Sequence, residues 1–110
     1  MSKLTTTAAC VLCMLLAGTR VAALQESPST QAYKDAMDKM HQSMAIDYTG
    51  DADVDFVRGM IPHHQGAIEM AKVELKYGTD PELRKLAQDI IAAQETEMEM
   101  MQTWLKAHGK

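Results

Sequence analysis

Three runs of this 110-residue sequence carry side chains able to hold a soft metal ion. Met37, Met40, His41 and Met44 recur at intervals of three and four residues. Met60-Ile61-Pro62-His63-His64 joins a thioether to two imidazoles through a proline, with Met70 two turns further on, and Met98 and Met101 stand three apart. Residues three or four apart share one face of a helix, so neighbouring pairs can chelate a single ion. Thioether sulfur is soft and does not titrate, which suits Cu(I), while imidazole accepts either oxidation state of copper.

The compartment gives a reason for choosing those donors. Lys3, the apolar run Ala8 to Gly18 and the small residues Val21-Ala22-Ala23 form the pattern of a secretory signal, residues 1–23, with cleavage expected before Leu24. The run is about half of the ~20 residues a spanning helix needs, so no membrane anchor is expected after processing. Cys10 and Cys13 both lie inside it. The remaining chain keeps eight methionines and four histidines but no cysteine. In an oxidising space thiolates are lost to disulfides, whereas thioethers cannot form them. Periplasmic or secreted copper handling therefore favours Met and His.

Nine of the eleven basic residues and all fifteen acidic ones fall after residue 23, a net charge of −6. A surface of that sign repels phosphate backbones and argues against nucleic acid as a partner. A domain this small buries a modest core and has no disulfide to compensate, so helix packing, oligomerisation or a bound ligand must hold it.

Helices have to position these donors. Residues 24–30 read as a flexible linker and 31–110 as one all-α domain of three long helices. The first is expected from about Thr30 to Tyr48, with Ser29 or Thr30 as N-cap. The second runs from about Asp53 to Tyr77 and closes on Gly78. The third opens with Asp80 as N-cap, Pro81 at the first helical position and Glu82 in the first turn, and continues to about His108. Short loops make neighbours antiparallel. Pro62 predicts a kink near Gly59 to Ile61, or a helix restart there.

Projection at about 100° per residue places Val57, Met60, Ile61, His64, Ala67, Ile68, Ala71 and Leu75 on the inward stripe of the second helix, with Met60, His63 and Met70 on one flank. On the third, Leu83, Leu86, Ala87, Ile90, Met101, Trp104 and Leu105 align, interrupted by Gln94 and Glu97, which are expected to orient the histidines. The first helix directs Tyr33, Met37, Met40, His41, Met44 and Tyr48 inward, with Ile46 pointing away.

Other chemistries lack their signatures. There is no Glu-x-x-His pair for a di-iron bundle, no His-Glu-x-x-His, no phosphate loop and no Gly-x-Ser-x-Gly elbow. An enzyme is not expected. The competing reading is a metal-free interaction or dimerisation module, in which flexible methionines form an adaptable docking face.

The stretch Asp55-Phe56-Val57-Arg58-Gly59-Met60-Ile61-Pro62-His63-His64-Gln65-Gly66-Ala67-Ile68-Glu69-Met70-Ala71 resembles the signature of domain-of-unknown-function family 305, which includes CopM-like copper-binding proteins of bacteria. The likeness continues through Leu86-Ala87-Gln88, Ile90-Ile91, Gln94, Glu97, Met101 and Trp104-Leu105, and takes in the run Met37 to Met44. It implies a small ferritin-like helical bundle, bacterial export, and copper buffering or carriage in homeostasis or resistance, with Ag(I) as a surrogate. Carried over, it makes Met60, His63 and His64 the central ligands, with Met37, Met40, His41 and Met44 as a second group. A ferritin-like bundle has four helices and this chain offers three, so the second is broken at Pro62 or another chain completes the bundle. The partners left open are a homo-oligomer and a copper-accepting protein.

Overall fold

A computed structural model of the protein describes residues 25–110, which form three successive helices: α1 (Pro28–Met44), α2 (Ala52–Tyr77) and α3 (Pro81–Ala107). The fold is an all-α three-helix arrangement. The expected signal, its cleavage site and both cysteines lie outside the described residues.

Each helix start has a local cause. Ser27 caps α1 by accepting from the Thr30 amide, and Pro28 supplies the first helical residue. The helix thus begins inside the segment expected to be linker. Asp51 caps α2 through the amides of Asp53 (3.0 Å) and Val54 (3.2 Å). Asp80 caps α3 through the Leu83 amide at 2.9 Å, with Pro81 following as expected. The turn before α2 is clamped by Asp55. Its carboxylate accepts from the Thr49 amide and hydroxyl, both at 2.8 Å, and from the Gly50 amide at 3.1 Å. Gly50 sits at φ 88°, a backbone conformation that favours glycine.

α1 stops at Met44, four residues short of the expected end. The chain then turns so that Ile46, expected to point away, becomes half-buried, its Cδ1 3.9 Å from the position a side chain at Gly59 would occupy. Tyr48, expected on the inward face, is instead 81% exposed. Gly78 ends α2 at φ −73°, not in the left-handed conformation of the usual glycine cap. There Arg84 reaches back from α3 to the carbonyls of Leu75 (2.7 Å) and Gly78 (3.0 Å), fastening the end of α2 to the start of α3.

α2 is one uninterrupted helix through Pro62, so no restart occurs. It is the middle element, packing against α1 on one flank and α3 on the other, while α1 and α3 do not pack together. Six of its seven buried residues fall into two sets accordingly. Val57, His64, Ile68 and Ala71 face α3, while Gly66 and Val73 lie about half a turn round, toward α1. Gly66 lets α1 approach closely: a methyl group there would lie 2.8 Å from Met40 Cγ and 3.1 Å from Met40 Cβ. The result is a three-helix layer with two open sides.

The expected inward face of α1 is corrected by this arrangement. Only Ala36 is buried; Met40 is half-buried, and Tyr33, Met37, His41 and Met44 are exposed. Leu83 and Leu86 of α3, also expected inside, are half exposed. One neighbour per terminal helix covers a narrower stripe than a closed bundle would.

Candidate metal centre

The helices fix where each nominated donor goes. His64 is 6% exposed, on the flank of α2 that meets α3. Its Nδ1 donates to the Met60 carbonyl at 2.9 Å, and its Nε2 makes a close hydrogen bond with the Glu97 carboxylate. A carbonyl can only accept, so Nδ1 carries the hydrogen. Both ring nitrogens are therefore engaged, and either must give up a partner before it can bind a metal. Gln94, one turn before Glu97, points its Oε1 into the same packed layer, where that atom is buried without a hydrogen-bond partner.

His63 is placed differently. It is exposed, edge-on to the His64 ring with centroids 6.3 Å apart. At about 100° per residue it lies within about 20° of Met70 and about 60° of Met60 on the α2 surface. That surface opens on one side of the layer. On the same side a hollow of about 320 Å3 is lined by Tyr33 of α1, Met70 of α2 and Leu83, Leu86 and Ile90 of α3. A second hollow there, about 390 Å3, is lined by Phe56, Met100 and Trp104 at the other end of the layer. Met37 and Met44 lie about 40° and 20° from Tyr33 around α1, turned away from Ala36, Lys39 and Ser43, which line the opposite hollow.

Register decides which donors share a level. Met40 against Gly66 and Ile46 against Gly59 align α1 with α2, while the His64–Glu97 bond aligns α2 with α3. Met44, Met60, His63 and Glu97 consequently stand at one level near the middle of the open side. Met37 and Met70 form a second level about two turns away.

The remaining nominated residues are separated from these. Met40 and Met98 line a different hollow of about 280 Å3 on the opposite side, beside Ile61, Pro62 and Gln65. Met101 is buried between α2 and α3, and His41 projects to solvent. Among the described residues, no group of three or more His, Cys, Asp or Glu side chains is arranged to hold a metal ion. None of the helices is long and apolar enough to cross a membrane, again among the described residues. Nothing in the sequence pattern singled out Asp55, whose carboxylate anchors the α1–α2 turn from within the first turn of α2. Its pKa is lowered, first by the hydrogen bond from the Thr49 amide, against a smaller opposing effect of burial.

The family model for the domain of unknown function DUF305 matches residues 53–110, more than half of the chain. The chain belongs to this family. The match spans α2 and α3; α1 and the run Met37 to Met44, which the resemblance was expected to cover, lie outside it. An uncharacterised protein of Acanthamoeba polyphaga mimivirus is 42% identical over 53 residues, which is 48% of this chain and 35% of the viral protein. The chain thus spans about a third of that relative's length.

Proposed function

We propose that this DUF305 protein is an exported copper-binding protein that buffers or carries the metal, with Cu(I) as its preferred cargo. The reading rests on the register of the helices, which puts Met44, Met60 and His63 at about one level on the open side, while His64 is withdrawn into bonds with Met60 and Glu97. Two thioethers and an imidazole form a soft donor set that suits Cu(I) and Ag(I) better than Zn or Mg. Met37 and Met70 provide further sulfur along the same side. His64 and Glu97 act as a brace that holds this part of α2 against α3. Export rests on the N-terminal pattern, and N-terminal sequencing of secreted material starting near Leu24 would support it. A ferritin-like classification belongs to the same proposal and requires helices from elsewhere to cover the layer.

Anaerobic competition against a Cu(I) chelator tests the site. Tight binding should fall sharply in His63→Ala and in Met44→Leu/Met60→Leu; unchanged binding in His63→Ala would remove this motif from the site. The second reading, a metal-free interaction module, is favoured by the large side chains exposed on that side, Phe56 and Met100 above all. Melting temperatures that ignore Cu(I), Cu(II) and Ag(I) alike would decide for it.

A further inference from the structure

We propose that the open apolar side of the layer is closed by a second copy of this chain, packed antiparallel across a two-fold axis near His63 and Ala67. The two copies then share one copper site, built on the Met44, Met60 and His63 of each. The site half of this proposal rests on the copper reading above; the dimer half stands without it.

Stable helical domains bury their apolar stripes between two layers. Here there is one layer, and its two sides differ in chemistry. Six of the ten large apolar side chains exposed among the described residues (Tyr33, Phe56, Met70, Leu83, Leu86 and Met100) line the two hollows on the side of His63. The opposite side carries Lys39, Arg58, Glu69, Lys72 and Glu95 around hollows whose lining also includes Met40 and Met98. The apolar side is therefore a covered face, and the charged side faces water.

Its size fits a protein partner. With 26 and 27 residues, α2 and α3 are each about 40 Å long. Three helices about 8–10 Å apart make the layer about 20–25 Å wide, so the face offers on the order of 800–1000 Å2. A standard interface buries about 800 Å2 on each partner.

Its shape fits a copy of itself. The face has a hollow at each end, one rimmed by Leu83 and Leu86 and the other by Phe56 and Met100, which are 62% and 66% exposed. A two-fold axis through the middle lays each projecting rim into the opposite hollow of the other copy, the self-complementary pattern of an isologous contact. His63 lies close to the midpoint of α2, so this axis brings two His63 rings and two Met60 thioethers together. Among its described residues, one chain alone gathers no group of three or more His, Cys, Asp or Glu side chains arranged to hold a metal ion.

Native mass spectrometry and sedimentation equilibrium of the purified protein, with and without Cu(I) or Ag(I), test this. Expected are a dimer in both conditions, one ion per dimer, and monomers of unchanged helicity for Leu86→Glu and Phe56→Glu. Lys72→Glu, on the charged side, should remain dimeric. The monomeric variants should bind Cu(I) at least about tenfold more weakly, since removing even an outer partner of a metal ligand commonly costs that much. A protein that is monomeric with and without metal overturns the dimer, and so does a dimer indifferent to both apolar-side substitutions. Monomeric variants that keep the parent affinity overturn the shared site and leave the copper reading intact. A dimer that binds neither Cu(I) nor Ag(I) sinks the copper reading and leaves the interface standing.

Discussion

His63 and His64 are neighbours in sequence with opposite situations. The His64 ring is buried and bonded at both nitrogens, so its loss removes packing and two hydrogen bonds together. His64→Ala should destabilise the fold by roughly 2 kcal/mol in chemical denaturation, while His63→Ala should change stability by less than about 0.5 kcal/mol. Copper affinity should respond in the reverse order: strongly weakened in His63→Ala and retained by whatever fraction of His64→Ala is folded. Equal loss of copper in both variants would contradict the division of labour. Asp55 gives a test by pH. Its pKa lies below the ordinary value of 3.8, chiefly because the Thr49 amide bonds to the ionised carboxylate. A depressed folded-state pKa contributes stability that is fully present above the unfolded value and is lost as pH falls through the lower, folded one. Asp55→Asn should therefore melt below the parent at neutral pH, and the gap should narrow below pH 3.8 as the parent carboxylate protonates. A gap that stays constant down to pH 2 would show that charge is not what the clamp uses.

At the scale of elements, the central helix explains most differences between sequence pattern and structure. The stripe of α2 that includes Val57, His64, Ile68 and Ala71 is legible from spacing, because one flank does face α3. Gly66 and Val73 escape the same projection because they serve a second neighbour on the other flank. Glycine carries no hydrophobicity, so nothing in a periodicity count marks the place where α1 approaches. Two glycines of α2 make this measurable. Replacing glycine by alanine inside a helix ordinarily gains up to about 1 kcal/mol. Gly59→Ala should realise much of that, since its nearest neighbour is Ile46 Cδ1 at 3.9 Å. Gly66→Ala should forfeit the gain and lower the melting temperature, because Met40 Cβ already stands 3.1 Å from the new methyl and α1 must move outward. Stabilisation by both substitutions would mean that α1 is not held closely against α2.

For the molecule as a whole, the buried core is small: eight apolar residues among those described, three of them alanine. Such a domain should respond strongly to anything that binds only its folded form. If copper is the ligand, as proposed, a free level about a hundred times the Kd should add about 2.7 kcal/mol. For a chain of this size that raises the melting temperature by on the order of 10 °C or more. Calorimetry at two protein concentrations would also show whether the midpoint rises with concentration, as a dimer requires. The sequence by itself determined the three helices, the Asp80-Pro81 start of α3, and the concentration of methionine and histidine, with no cysteine, after residue 23. These are local matters: caps, proline geometry and the softness of sulfur act within one turn of chain. Only the tertiary structure decided that Met37, Met44 and His63 stand open while His64 meets Glu97, thirty-three residues away. Spacing gives the angle of a side chain around its own helix; what lies at that angle depends on how many neighbours the helix has. Met60-Ile61-Pro62-His63-His64 runs past α3, open solvent and α1 within little more than one turn, and that placement buries one of two adjacent histidines and exposes the other.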